Sequence, residues 1–474
     1  MVLLTRVDSG SSIGVNGNMR AETKSAVFHR HLNRDFLPLA KSEGNYLILE
    51  DGREVFDASG GAAVGCIGWG NKQVAGAIMK QVLDAPYCAS IYYTTRVQEE
   101  LCRALVDSTS GKMARAYIVN SGSEAMEAAL KLARQYFVEL KPSQPQRTRF
   151  IARNQSYHGT TLGALAIGGH QYRRSNFEPL LMKNASKVSP CFAFRGKFPG
   201  ETDEDYVNRL AKELDDEFQR VGPETVCAFV AEPVVGAALG CVPAVPGYFK
   251  AVRAVCQKYG ALLILDEVMC GMGRTGTLHA WEQEGVVPDI QTIGKALGGG
   301  YQPVAGVLAN PRVINVIRDG TSAFVHGHTY QGQPTSCAAA LEVQRIIREE
   351  GLLSNVREMG TLLSELLKTR LGDHPNVGDI RGRGLFWGIE FVADKQNLTP
   401  FPVDAHVAME ISELGLTEEY SISVYPGAGS ADGIRGDHII IAPAYNVTSK
   451  EIEMIVATFG RLVDDFFANG KFAS

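Results

Sequence analysis

Lys295 sits in the run Gln291-Thr-Ile-Gly-Lys295-Ala-Leu-Gly-Gly-Gly300, among small and apolar residues. A charge is badly placed there but a neutral amine is not, because loss of solvent lowers the pKa of a lysine. A neutral lysine amine attacks carbonyl carbons and forms Schiff bases, and the main biological aldehyde for that chemistry is pyridoxal 5'-phosphate. Such a cofactor needs a carboxylate to keep its ring nitrogen protonated. Asp266, which ends the apolar run Ala261-Leu-Leu-Ile-Leu265, is placed to be one. Taken alone, Lys295 reads as well as a lysine whose stem lies on apolar surface beside a glycine turn.

Three further segments bear on the choice. Asn120-Ser121-Gly122-Ser123-Glu124 follows the apolar Tyr117-Ile-Val119 and opens a helix in which Met126, Ala129, Leu130, Ala133 and Phe137 share one face. With Ser123 expected as N-cap, the helix start leaves backbone N–H groups for a phosphate; an ordinary capped helix is the alternative. Ser156-Tyr157-His158-Gly159 offers a flat aromatic for a cofactor ring, or else a packed Tyr-His pair. The loop Val325-His-Gly-His-Thr329-Tyr-Gln-Gly-Gln-Pro334 brings a hydroxyl suited to phosphate, or is a Gly/Pro turn. Gly271-Met-Gly273-Arg-Thr-Gly276 matches the dinucleotide fingerprint, but four residues separate it from Asp266 and Thr275-Gly-Thr-Leu-His is a poor helix start.

These segments need a scaffold. From about 70 to 330, β-rich runs alternate with helical ones: Ala116–Val119, Arg149–Ala152, Val226–Ala231, Leu262–Leu265 and Val304–Leu308. Continuous apolar strands separated by helices indicate an α/β fold with a mostly parallel sheet covered on both faces. A helical stretch at about 336–370 follows, and Gly384–Val392 and His438–Ala442 read as strands of a smaller α+β domain. Asn45–Leu49 is a further strand candidate. In open α/β sheets ligands sit at the carboxyl ends of the strands, where Asp266 and Glu232 both lie.

At 474 residues the chain exceeds one compact core. With 45% hydrophobic and 21% charged residues and a net charge of −5, it has no basic footprint for nucleic acid or an anionic membrane surface. No apolar run reaches membrane-spanning length, and no metal is expected. Nine cysteines without CxxC pairs suit a reducing compartment, and with no signal-peptide core the expected location is the cytoplasm. Residues 1–25, rich in Ser, Gly and Asn from residue 7, are expected to be a flexible tail.

The order of these segments resembles the class III pyridoxal-phosphate aminotransferases, the ω-transaminase group, over roughly residues 27 to 465. The most specific stretch is Leu265-Asp-Glu-Val-Met-Cys-Gly-Met-Gly-Arg-Thr-Gly276, then Pro288-Asp-Ile and Ile293-Gly-Lys295-Ala-Leu-Gly-Gly-Gly-Tyr301. The resemblance implies a fold type I transferase with a large cofactor domain over 71–335, a small C-terminal domain over 336–474, and an N-terminal segment 26–70 joining the small domain. It implies that Lys295 holds the cofactor covalently, Asp266 pairs with its ring nitrogen, Tyr157 and Val268 cover its two faces, and Gly122 and Ser123 bind its phosphate. It further implies that Thr329 reaches the phosphate of a neighbouring subunit, hence a homodimer with sites at the interface, and that Glu232 belongs to the pocket.

Substrates implied are a small-molecule amine or ω-amino compound and an α-keto acid such as pyruvate. The ornithine and γ-aminobutyrate branch carries a glutamate five residues after that of Glu-Pro; here Ala237 stands there, as the amine:pyruvate branch tolerates. Asp432-Gly-Ile-Arg435-Gly-Asp-His438 resembles the latter branch, so Arg435 could hold an acceptor carboxylate or be a surface arginine. Ile91 and Tyr92 fall where the family lines its substrate pocket, or pack in the core. Ala444 and Gln333 depart from the family's usual proline and Asn or His. Aminomutase, racemase, decarboxylase and phospho-lyase outcomes share the same cofactor contacts, and a non-catalytic protein on this fold is a further alternative.

Overall fold

The computed structural model describes residues 25–32 and 34–469; the tail expected over 1–25 lies, but for Ser25, outside them. The chain divides into Met1–Pro38 and Leu39–Ser474. In the first, the described residues are mostly exposed and the His29 and Phe36 rings stack with centroids 4.2 Å apart.

In the second, the frame is a seven-stranded sheet in the order Arg115–Val119, Ala305–Ala309, Ile290–Ile293, Leu262–Asp266, Val226–Ala231, Arg149–Arg153, Ala185–Val188. Only Ala305–Ala309 runs against its neighbours; the other pairings in the sheet are parallel. Val226–Ala231 and Leu262–Asp266 are buried at every position, as strands covered on both faces must be, which is why their sequences are unbroken apolar runs rather than alternations. One cover is the helix Gly122–Glu139, whose buried residues include Met126, Ala129, Leu130, Ala133 and Phe137, the face anticipated from their spacing. Its alanines at 125, 128, 129 and 133 let it lie close on the sheet.

Ile290–Ile293 and Ala185–Val188 are strands that the apolar pattern did not mark. The helix expected over 336–370 is two helices, Pro334–Glu349 and Leu352–Leu371. Gly351 between them adopts φ 64, a left-handed conformation that ends a helix at little cost only for glycine. Toward the C-terminus, Val377–Gly382, Trp387–Phe391, Asp437–Ile441 and Tyr425–Ala428 form an antiparallel sheet. Glu54–Asp57 pairs in parallel with Ile422–Ser423, so early and late chain meet in one small sheet. Among the described residues no helix is long and apolar enough to cross a membrane.

Arg274, from the glycine-rich run that mimicked a dinucleotide motif, ties distant segments together. Its guanidinium is fully buried and donates to the carbonyls of Gly65 (2.7 Å), Leu385 (3.2 Å), Ala442 (3.1 Å) and Pro443 (2.5 Å), and lies 4.6 Å from the centroid of the Tyr445 ring. A hydrogen bond to a charged group contributes about 1.5–3 kcal/mol, and an orphaned buried carbonyl costs about as much. Arg274→Met keeps the bulk and strands four carbonyls, so it is expected to lower stability by about 3 kcal/mol or more. Urea unfolding of the apoprotein reads this; an unchanged midpoint would show that these carbonyls find other donors.

Candidate active site

The carboxyl ends of the parallel strands converge on a cavity of about 400 Å³. Asp266 is the last residue of its strand; Glu232 follows the adjacent strand by one residue and Lys295 follows the other by two. Tyr157 comes four residues after Arg149–Arg153, and Asn120 one after Arg115–Val119. All five line the cavity. Because Ala305–Ala309 runs the opposite way, its start faces the same end, and Gln302, Pro303 and Val304 supply another wall.

Lys295 follows Gly294 in an extended conformation and itself has φ 46, a left-handed backbone that costs an ordinary residue about 1–2 kcal/mol. Its Nζ donates to the Ala62 carbonyl at 2.8 Å. Part of the side chain reaches the cavity, yet protein surrounds the amine, and this desolvation pushes its pKa down to about 8. Glu232 and Asp266 pull it upward, while Arg274 and Arg173 push it further down.

Asp266 is held from three directions. Oδ1 accepts from the Thr292 hydroxyl and the Val268 N–H, each at 3.0 Å, and Oδ2 from Nδ1 of buried His158 at 2.7 Å. The Thr292 contact follows from register, since Asp266 and Thr292 are direct partners across adjacent strands. Glu232 is buried, and desolvation raises its pKa above the usual carboxylate range. Its Oε1 accepts from the Tyr157 N–H and its Oε2 from the Gly236 N–H, both at 3.1 Å, so it fixes the backbone that presents the Tyr157 ring.

At the helix start the N-cap is Ser121, not Ser123: the Ser121 hydroxyl accepts from the Glu124 N–H at 3.2 Å. Ser123 falls inside the first turn, where its hydroxyl accepts from the Thr160 N–H at 3.0 Å and joins the Tyr157 loop to the helix. Gly122 and Ser123 are first-turn residues whose N–H groups have no intrahelical acceptor. A Cβ on Gly122 would come within 2.7 Å of Val268 Cγ1, so the close approach of Val268 to the phosphate-type turn requires glycine.

These features fit pyridoxal phosphate. An anion-binding turn, an aromatic and a valine able to flank a ring, a triply anchored carboxylate, and an amine with lowered pKa surround one cavity of suitable size. Thr329 is exposed and outside its own chain's cavity. Ile91 and Tyr92 are 83% and 81% exposed, so neither packs in the core, and neither lines the cavity. Arg435 is also off the cavity wall, its Nε donating to Asp432 at 2.7 Å. The roles of His158 and Thr292 could not be read from the sequence, because their contacts with Asp266 join residues 108 and 26 apart in the chain.

The family model for class-III aminotransferases matches residues 28–461. An aminotransferase of Gibberella zeae is 53% identical over 89% of this chain and 82% of its own length. An uncharacterised aminotransferase of Schizosaccharomyces pombe is 48% identical, with coverage of 94% and 96%. A solved amine transaminase from an uncultivated Pseudomonas species, in its PLP-bound form, superposes with a TM-score of 0.85 at 28% identity, covering 94% of this chain and 99% of its own. The chain belongs to the class III aminotransferase family, with the fold type I architecture, and is a pyridoxal-phosphate-dependent transaminase.

Three outcomes follow from the site. The neutral amine is the nucleophile, so capture of pyridoxal phosphate by the apoprotein should quicken as pH rises and level off above about 8. Stopped-flow absorbance reads this; a rate still climbing toward pH 10.5 would mean an unperturbed lysine. The folded value lies below the unfolded 10.5, so the folded chain binds fewer protons between the two and apoprotein stability rises with pH across that window. Separately, His158→Leu removes a charge-assisted bond to Asp266 of about 1.5–3 kcal/mol, and cofactor affinity or turnover should fall by about ten- to a hundredfold. Unchanged values in cofactor titration and kinetics would show Asp266 positioned without it.

Proposed function

We propose that this transaminase moves an amino group from a primary amine or ω-amino compound to an α-keto acid such as pyruvate, working as a cytoplasmic homodimer. The observation that carries the choice of donor is the lining: Val64, Met269, Pro303 and Val304 form an apolar wall beside the cofactor groups, and position 237 carries alanine rather than the switch glutamate. An apolar wall favours an amine with an apolar substituent by about 25 cal/mol per Å² covered. The similarity to the solved amine transaminase supports the same reading.

Gly122 and Ser123 would hold the phosphate of pyridoxal phosphate on their free N–H groups, and Tyr157 and Val268 would cover the two ring faces. When bound, the cofactor supplies a ring that accepts the electron pair left as a proton leaves the amine-bearing carbon. Asp266 would keep a proton on the cofactor's ring nitrogen, since a carboxylate anchored by Thr292, Val268 and His158 stays aimed at one point. Lys295 Nζ would hold the cofactor's aldehyde covalently, and its free amine would be the base that takes the proton from the substrate carbon and returns it. Glu232 holds Tyr157 in place.

Exposed Thr329, Ile91 and Tyr92 support a dimer in which each subunit completes its partner's site. All nine cysteines are unpaired, which supports a reducing compartment.

Incubating the holoenzyme with a panel of amines against pyruvate and 2-oxoglutarate tests the reading, with alanine or glutamate formed in step with loss of amine. Chiral inversion, amino-group migration or CO₂ release without transfer would replace it with an isomerase or lyase function. Asp266→Ala should keep the fold while lowering turnover on the order of a thousandfold, about 4 kcal/mol in barrier. Circular dichroism with steady-state kinetics checks both, and near-normal turnover would refute the role given to Asp266.

A further inference from the structure

One polar side chain on the cavity wall has no part in the chemistry above. Gln302 lines the cavity and is half-buried, and among the described residues its amide has no hydrogen-bond partner. The neighbouring amide is committed, since Asn120 Nδ2 donates to the Tyr330 carbonyl at 3.3 Å. The Ser121 and Ser123 oxygens accept the N–H groups of Glu124 and Thr160 at 3.2 and 3.0 Å, which leaves each hydroxyl its proton. Among the described residues no arginine lines the cavity, and its one lysine is Lys295. A phosphate monoester carries about two negative charges on three acceptor oxygens at neutral pH. At the turn it would meet only neutral donors, even with a Thr329 hydroxyl added across a dimer, so each further donor counts.

The chain brings Gln302 to that end of the cavity in two ways. Val119 pairs with Ala305 in the last rung of the antiparallel ladder between Arg115–Val119 and Ala305–Ala309. Residues 120–122 leaving one strand and 302–304 entering the other therefore run off the sheet side by side. Gln302 also belongs to the turn that begins at Lys295. The N–H groups of Gly298 and Gly299 donate to the Lys295 carbonyl at 3.1 and 3.0 Å, and that of Tyr301 to the Gly298 carbonyl at 3.1 Å. Gly299 and Gly300 take φ 57 and 86, a tight path that glycine follows without steric cost. The Tyr301 hydroxyl pins the turn from outside, donating to the Gly68 carbonyl and accepting the Asn71 N–H, both at 2.9 Å. Gln302 is thus presented by a fixed loop, which lowers the ordering cost of any contact it makes.

We propose that the Gln302 side-chain amide donates to the cofactor phosphate beside the Gly122–Ser123 turn, and so sets how tightly the enzyme keeps its cofactor. The proposal rests on the phosphate position given above and adds a residue to it. In pyridoxal phosphate the aldehyde and the phosphate arm are carried on adjacent ring carbons. A single turn with the aldehyde's lysine at one end and a free amide at the other matches that pair of substituents.

The test titrates apoprotein of wild type, Gln302→Leu and Gln302→Glu with pyridoxal phosphate and with pyridoxal, which lacks the phosphate, reading aldimine absorbance. Gln302→Leu is expected to weaken pyridoxal phosphate by about tenfold and to leave pyridoxal within about twofold. Gln302→Glu sets a carboxylate against the phosphate and should weaken the cofactor by about a hundredfold, again sparing pyridoxal. Circular dichroism checks that both variants keep the fold. Equal losses on the two ligands would make Gln302 a structural part of the wall and overturn the proposal. So would unchanged affinity for pyridoxal phosphate in both variants, the result for an amide that faces only water. A raised KM for the amine at saturating cofactor, with cofactor affinity intact, would give the amide to the substrate instead. If wild type itself binds the two ligands equally, the phosphate position fails. If wild type prefers pyridoxal phosphate and Gln302→Leu keeps that preference in full, only the role of Gln302 fails.

Discussion

A lysine amine whose pKa falls to about 8 has to be shielded from water by protein on nearly every side while one side stays open to a cofactor. The strand ends meet that demand. Parallel strands place the backbone of several loops around one point, and each loop contributes one group: Asp266, Glu232, Tyr157, the Gly122 turn. The antiparallel strand Ala305–Ala309 closes the ring from the remaining side, because reversing one strand brings its beginning, rather than its end, to the site. Lys295 accepts a left-handed backbone within this ring, a local cost that the packed surroundings absorb.

Arg274 belongs to the same constraint. Its charge helps keep the Lys295 amine neutral, and it can sit beside another base only because carbonyls, not a carboxylate, satisfy it. A carboxylate partner would cancel its field, whereas four carbonyl dipoles hold the guanidinium and leave most of its charge in place. Those carbonyls come from residues 65, 385, 442 and 443. One side chain therefore both docks remote chain segments and adds to the electrostatics of the site.

Local features of this arrangement were legible in the sequence. Lys295, Asp266 and the helix face of Met126 to Phe137 declare themselves through composition and period, and the buried strands through unbroken apolar runs. Features that depend on which strand lies beside which were not. The His158–Asp266 bond joins residues 108 apart, and Thr292 meets Asp266 only through register. The cap at Ser121 rather than Ser123 turned on two residues of helix onset, and the left-handed Gly351 divides the helical stretch at 336–370. Ile290–Ile293 escaped notice because a buried four-residue strand with Gln291 and Thr292 in it has no alternation to detect.

The two carboxylates beside Lys295 illustrate why anchoring matters more than mere presence. Asp266 receives three donors, one of them from His158, that hold its carboxylate in one orientation. Glu232 receives two backbone N–H groups, but burial outweighs them and shifts it toward the neutral acid. Glu232 is also the strongest electrostatic influence favouring the charged form of Lys295. Every part of its negative charge that burial suppresses therefore frees the lysine amine. The same functional group therefore serves two ends: Asp266 is fixed in place by three donors, while Glu232 is drawn toward its neutral form by burial and so opposes the Lys295 shift less.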